Sequence, residues 1–486
     1  MNLKSVSGAA VAAGFTALHP TLQADGTDRP NLLIIHTDEH NFRTLGCYRE
    51  TMTEDQAFVW GPGVKVDTPN IDSLAHAGAL CTSFYATSPV CSPSRSSFMT
   101  GFYPQATGVP QNDLPMKDSM VTFAEVLRQN GYATAYVGKW HLDGDAKPGF
   151  TPPRDFGFED NRYMINRGHW KLLKDTPTGP ALIGAYNAEN GRYRYSIEKA
   201  TDKSYTTDFL ADRTIEILNQ DKEKPFCVML SIPDPHGPNT VRAPYDTMFS
   251  DLTFQNPRTM DVADDTLPKW VKNTVGELKQ VQMQWYFGMV KCIDDNVGRI
   301  LNYLASSGLD RKTIVVFTSD HGDLMGEHRK HDKGLPYETS AGIAFIIRYP
   351  GHIPEGKRID TAYTTADFAP TILGLMGLGG QPAGCQGRDA SSDFTSSDKT
   401  VGSDRIIYIT NAGGRWVAAA SRHYKLVLSP FDTPWLFDLE KNPDETVNFY
   451  RNPEYRQIAD DYKKALTELM TRYDEPLLQA GTLKYD

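Results

Sequence analysis

Between residues 31 and 348 the sequence returns five times to a short, almost continuous apolar run, at 31–35, 132–137, 225–232, 313–318 and 342–348. Runs of this length, apolar at successive positions, suit parallel strands buried on both faces. The stretches at 122–130 and 280–304 carry helical spacing instead. In the second, Trp285, Met289, Ile293, Val297, Ile300, Leu301 and Leu304 fall on one stripe. Strands alternating with helices constrain the chain to an α/β architecture: a large doubly wound, mostly parallel sheet flanked by helices. With 486 residues and 40% hydrophobic content, there is ample material for such a core.

The residues just after each run narrow the reading. Asp38, Glu39 and His40 come after the first, Lys139 and His141 after the second, Asp234 and His236 after the third, and Asp320 and His321 after the fourth. Open parallel sheets place their sites beyond the carboxyl ends of the strands. Loops are polar in any case, but ordinary ones favour Ser, Gly and Asn over a repeated Asp and His.

The first 24 residues carry one charge, Lys4, and a small-residue, mildly apolar run at 8–18. They read as a signal peptide, or else as a leader with no targeting role. No other stretch approaches the roughly 18 apolar residues of a membrane span. A formal net charge of −10 argues against nucleic-acid binding. An anionic substrate would have to be drawn by a few cations focused in one cleft. Residues 25–380 are expected to form the catalytic domain and 381–404, rich in Gly, Ser and Asp, a linker or surface crossing. Residues 405–486 are expected to form a smaller C-terminal α+β subdomain, with antiparallel strands near 405–409, 415–420, 423–428 and 435–438 and a helix at 453–472. Cys47, Cys81, Cys91, Cys227, Cys292 and Cys385 show no tight metal spacing. Cys227 and Cys292 read as buried small hydrophobes, and no disulfide is fixed.

The segment Pro89-Val90-Cys91-Ser92-Pro93-Ser94-Arg95-Ser96-Ser97-Phe98-Met99-Thr100-Gly101 reads as a helix start, with Ser92 able to cap and Pro93 suited to the first turn. Cys91 then stands at a helix N-terminus, where backbone N–H groups favour an anion, and Arg95 lies one turn in. Physics alone leaves two readings open: an anion site at Cys91, or a buried cysteine beside an ordinary capped helix.

Cys91-Ser92-Pro93-Ser94-Arg95 resembles the C-x-P-x-R signature of the type I, formylglycine-dependent sulfatases of the alkaline phosphatase-like superfamily, and the likeness runs through Gly101. Residues 131–142, containing Gly138-Lys139-Trp140-His141, resemble that family's other signature. Thr37-Asp38, Pro235-His236, Ser319-Asp320-His321-Gly322, 333–338 and 437–448 extend the match. The resemblance implies that Cys91 is oxidised to formylglycine by a formylglycine-generating enzyme. The hydrated aldehyde attacks sulfur and releases the alcohol, and its second hydroxyl then collapses to the aldehyde and expels sulfate. A serine could not leave in this way. The resemblance also implies one Ca2+ held by Asp38, Asp320, His321 and residue 91. Glu39, longer than the Asp common at its place, stays open as a ligand. His321 puts a nitrogen where other members carry Asn, which keeps manganese or another metal open. By the same resemblance Arg95 and Lys139 stabilise the diol, and His141 takes a proton when the aldehyde reforms. His236 and Lys333 contact the sulfate and protonate the leaving oxygen. His328 and His331 read as loop residues.

A sulfated saccharide is the expected substrate, an algal polysaccharide such as ulvan by analogy, and the expected location is periplasmic or secreted. Arg154, Arg162, Arg167, His169 and Trp170 could line a sugar subsite or belong to an ordinary surface loop. The alternatives are a phosphomonoester or phosphonate monoester hydrolase of the same superfamily, and a sulfated-glycan binding protein without turnover.

Overall fold

The computed structural model describes residues 29–183, 186–187, 192–193, 195–263, 266–379 and 384–486. The leader expected at 1–24 lies outside the described residues. The main sheet is built from β1 (Asn31–Asp38), β2 (Ala79–Cys81), β3 (Ala133–Lys139), β4 (Asp160–Ile165), β5 (Phe226–Pro235), β6 (Thr313–Ser319), β7 (Phe345–Arg348), β8 (Lys357–Ile359) and β9 (Thr400–Val401). Their order is β9-β8-β2-β7-β6-β1-β5-β3-β4.

β1 lies at the centre, parallel to both neighbours, with Ile34 level with Met229 on one side and Val316 on the other. Alternate residues divide between two cores, as the period of a strand requires. Leu32 and Ile34 pack with Phe98, Phe123 and Phe368. Leu33 and Ile35 pack with Ile217, Ile293 and Val297 from the helices Thr206–Asp221 and Gln280–Ser306. Burial on both faces is why these strands read as unbroken apolar runs.

The run at 342–348 departs from the expected direction. β7 is antiparallel to both β6 and β2. A parallel return needs a crossover, usually a helix, back to the opposite edge. The chain from 320 to 344 instead stays at the carboxyl edge, where it carries Asp320, His321 and Lys333, and re-enters the sheet from there.

The C-terminal residues form an antiparallel meander of β10 (Ile407–Thr410), β11 (Val417–Ala420), β12 (Tyr424–Leu428) and β13 (Trp435–Asp438). One face is covered by the helix Arg456–Arg472 through Ala459, Tyr462, Leu466 and Met470. The other face, with Ile409, Trp416, Ala418 and Phe437, packs on Leu324, Leu335 and Tyr337. This second sheet thus backs the segment that carries Lys333. The stretch before it holds a short helix, Ser391–Thr395, and β9, which pairs with β8 as Arg358 to Thr400.

Two buried histidines are expected to weaken the fold in acid. His40 lies between the hydroxyls of Thr37 and Thr44, at 3.1 and 3.0 Å. His328 stacks on Tyr337 at 3.4 Å. Burial pushes both down to about 3. The unfolded chain takes up these protons near pH 6.5, so the stability they contribute is present above that pH and is lost as pH falls toward 3. The melting temperature should therefore drop steadily below about pH 6.5. His328→Asn, which tolerates the left-handed backbone there (φ 52°) and cannot protonate, should lose less on acidification. An identical acid profile for parent and variant in thermal melts would contradict this cause.

Candidate active site

Cys91 is the first residue of the helix Cys91–Thr100, every residue of which is buried. The capping expected of Ser92 is not what the structure shows. Val90 is the extended N-cap residue, and the Asn112 side chain accepts from the Ser92 N–H at 2.9 Å. The cap comes from a loop twenty residues away in sequence, so Cys91 moves into the first turn. The helix stops at Gly101, whose φ of 77° is left-handed. A Cβ there would lie 2.6 Å from Cys385 Sγ.

Around Cys91 Sγ the strand ends converge. His321 Nε2 lies at 3.2 Å and Asp38 Oδ1 at 3.7 Å. His321 Nε2 is 3.8 Å from Asp38 Oδ1 and 3.5 Å from Asp320 Oδ1. One donor atom from each of Asp38, Cys91, Asp320 and His321 lies within 4.8 Å of the others, and all four residues are buried. His321 Nδ1 donates to the Gly322 carbonyl at 3.0 Å, so Nε2 is the ring nitrogen that faces the cluster. Two carboxylates and one imidazole nitrogen around one point fit a divalent cation.

Arg95 crosses this cluster. Its guanidinium donates to Asp320 at 2.9 Å, Asp38 at 3.4 Å, Ser231 Oγ at 2.9 Å and the Lys139 carbonyl at 2.8 Å. The Lys139 ammonium sits between Asp38 and His169 Nε2, the latter at 2.8 Å, and 3.7 Å from Cys91 Sγ. Burial alone would raise the Asp38 carboxyl, yet Lys139 and His169 hold it well below the usual carboxylate range. Asp320 is raised by burial and by the charge of Asp38. The Cys91 thiol, despite burial and Asp38, is drawn well below its ordinary value by Lys139, Lys333 and His321.

A second group borders the first. Glu39 Oε2 accepts from His236 at 2.9 Å and from Lys333 at 3.1 Å, and Lys333 Nζ is 2.6 Å from His236 Nε2. Burial pulls His236 down, but the Glu39 carboxylate pushes it up to about 10. His169 stacks on His236 at 3.5 Å and is kept neutral by burial and by Lys139. Glu39 here binds His236 and Lys333, while its Oε1 is buried without a protein partner.

His141 is held against Asp113, Nε2 to Oδ1 at 2.8 Å, and its Nδ1 is buried without a protein partner. Asp113 is braced by Arg167 at 2.5 Å. Asp234, expected with the residues facing the sheet edge, turns elsewhere. Its carboxylate accepts from Lys171 at 2.5 Å, Tyr205 at 2.6 Å and Thr207 at 2.7 Å. This buried pair ties the segment bearing His169 to the strand end bearing His236. Of the candidate sugar-subsite residues, only His169 enters the centre. Arg154 bonds the carbonyls of Lys117 and Met120, Arg162 pairs with Asp160, and Trp170 is buried against Tyr195. Asp113 and Lys171 carry no local signal, because each acts through a partner distant in sequence.

The family model described as Sulfatase matches residues 30–378. The chain belongs to the sulfatase family. As a member it is a sulfuric ester hydrolase. A second model, described as N-sulphoglucosamine sulphohydrolase, C-terminal, matches residues 326–472. An ulvan-active sulfatase of Formosa agariphila is 28% identical, over 92% of this chain and 82% of that protein. An N-acetylglucosamine-6-O-sulfatase of Bacteroides thetaiotaomicron is 26% identical, over 93% and 88%. A solved structure of a protein in complex with its substrate D-glucosamine-2-N,6-O-disulfate superposes with a TM-score of 0.71 at 24% identity, covering 92% of this chain and 99% of that one. That likeness is one of fold. Among the described residues of this sulfatase no helix is long and apolar enough to cross a membrane.

Proposed function

We propose that this sulfatase hydrolyses sulfate esters on a sulfated carbohydrate, with residue 91 oxidised to formylglycine as the nucleophile and a bound Ca2+. The observation that carries the reading is Cys91 Sγ in the first turn of a buried helix, 3.2 to 3.7 Å from His321, Asp38 and Lys139. Once oxidised and hydrated, residue 91 supplies two hydroxyls on one carbon, one for attack and one to expel sulfate. Asp38, Asp320, His321 and an oxygen of residue 91 would hold the cation, which neutralises charge on the diol and on a sulfate oxygen when bound. With few oxygen donors in this set, water and substrate would complete a calcium shell.

The remaining groups act on protons and charge. Arg95 and Lys139 orient the diol from the side of Asp38 and Asp320. His141, with its Nε2–H donated to Asp113, keeps Nδ1 to accept the proton released when the aldehyde reforms. His236 and Lys333, charged against Glu39, bind sulfate oxygens and give the leaving alcohol its proton. A phosphatase reading fits less well. Asp38, His169 and His236 lie close enough for a second metal. The Lys139 ammonium bonds both Asp38 and His169, and Lys333 lies against His236. These ammonium groups occupy the place of a second metal, whose added charge the doubly charged phosphate ester needs more than the singly charged sulfate ester does. Relatives that act on ulvan and on N-acetylglucosamine sulfate support a carbohydrate substrate. Maturation by a formylglycine-generating enzyme and a periplasmic or secreted location complete the reading.

The test is release of free sulfate from a panel of sulfated oligosaccharides, set against release of phosphate from aryl phosphate. Sulfate release should dominate. Exhaustive chelation should remove it by about a hundredfold or more, since a bound cation supplies several kcal/mol, and Ca2+ should restore it. Undiminished turnover after chelation would contradict the metal assignment, and faster phosphate release would contradict the substrate class.

A further inference from the structure

The centre opens where His169, His236 and Lys333 keep partial exposure, with side chains 19%, 20% and 16% accessible. Beside that opening is a cavity of about 510 Å³, lined among others by Asn239, Asn273, Lys279, Gln282, Lys330 and His331. Two of its walls are continuous with the site, because Asn239 lies three residues after His236 and Asp332 precedes Lys333. Tyr286 forms part of its floor, and its hydroxyl donates to the Glu39 carbonyl at 2.8 Å and accepts from Asn41 N–H at 2.9 Å. His331 Nε2 in its wall is buried without a protein partner. Asp323 Oδ1 is already taken by the N–H groups of Met325 and Asp332.

The cavity continues into a cationic and aromatic surface. Lys330 Nζ donates to the carbonyls of Lys272 and Asn273 at 2.8 and 3.0 Å. Lys272 Nζ and Arg415 Cζ lie 5.6 and 4.8 Å from the ring of Phe431, which is 42% exposed. Arg415 bonds the Trp270 carbonyl, and its neighbour Trp416 donates to the Gly334 carbonyl at 3.1 Å, next to Lys333. Among the described residues none of Lys272, Lys279, Lys330 and Arg415 makes an ion pair. The chain carries a formal net charge of −10 and pairs most of its buried cations. Lys279 and Lys330 in the cavity wall, with Lys272 and Arg415 beside Phe431, thus leave four cations along one surface free to take an external anion. The adjoining amides and the Asp332 carboxylate suit sugar hydroxyls, and Phe431 offers a flat face to a pyranose ring.

We propose that this cavity and the Phe431 surface form a binding subsite for the neighbouring anionic units of a polyanionic saccharide chain, whose sulfated unit occupies the Cys91 centre. The inference rests on the sulfated-carbohydrate reading and goes beyond it, because it makes an oligosaccharide rather than a free monosaccharide the preferred substrate. The cations draw the chain's carboxylates or sulfates, and the amides fix its hydroxyls.

The test is calorimetric binding by the full chain carrying Cys91→Ser, which removes turnover. The probes are an ulvan tetrasaccharide, a heparin tetrasaccharide and a sulfated monosaccharide from each polymer. Adding Lys272→Glu and Lys279→Glu, both at exposed positions, should weaken at least one tetrasaccharide tenfold or more. The monosaccharides should change far less. Phe431→Ala should weaken the same tetrasaccharide severalfold at unchanged melting temperature. The proposal is overturned if the parent binds neither tetrasaccharide. It is also overturned if the charge variants bind both as the parent does, or lose monosaccharide and tetrasaccharide equally. Selective loss of tetrasaccharide binding in a protein whose unsubstituted form never releases sulfate would leave the subsite standing and remove the hydrolase reading. Sulfate release with unchanged tetrasaccharide binding would do the reverse.

Discussion

Cys91→Ser abolishes sulfate release, by at least about a thousandfold, while the protein melts within a few degrees of the parent. Serine keeps the size and polarity of the side chain, so the helix start, the Asn112 cap and the Arg95 contacts persist. It removes the carbon able to carry two hydroxyls. An alkoxide on serine can attack sulfur, but the resulting ester has no second hydroxyl through which to collapse, so the enzyme stalls after one event. Stopped and steady-state sulfate assays distinguish this from misfolding. A serine variant that turns over repeatedly at the parent rate would remove the aldehyde from the mechanism.

Lys425→Ala should cost about 3–5 kcal/mol of stability, because it leaves a buried charge without its partner. Lys425 is fully buried, and its ammonium meets Glu445 at 2.8 Å, Glu338 at 2.5 Å and the Pro336 carbonyl at 2.7 Å. Burial pushes the Glu445 carboxyl up to about 7 against the pull of Lys425. Removing the lysine strands that carboxylate in the interior. The double variant Lys425→Met, Glu445→Gln should recover much of the loss, since removing both partners discards the desolvation cost along with the attraction. Activity should fall with stability in the single variant, because the Gly334 and Pro336 carbonyls, held by Asn411, Trp416 and Lys425, fix the loop that carries Lys333. Denaturant unfolding and kcat measured together decide it. A single variant as stable as the parent would show that the triad contributes little.

The central sheet is legible in the sequence because β1, β3, β5 and β6 are covered on both faces, and double burial writes itself as an apolar run. The same cause hides the direction of β7, since a run buried on both faces reads alike whichever way it points. The short and half-exposed strands toward the two sides of the sheet leave little trace. β2 and β8 have three residues each, and β4 mixes exposed with buried positions. Within the site, the residues directly after strand ends are visible, as are those in the Cys91 helix. Those that depend on a distant partner are not. Asn112 supplies the cap expected of Ser92, Asp113 holds His141, and Lys171 captures Asp234. His169 reads as a residue of either a sugar subsite or an ordinary surface loop, and only the fold of that insert brings it onto His236.

The most direct measurement is the mass of the peptide containing residue 91, from natively matured protein that actively releases sulfate. The account predicts that the thiol's sulfur and two hydrogens have been exchanged for one oxygen, the composition of an aldehyde. Fully active protein whose peptide still carries sulfur at that position would contradict it.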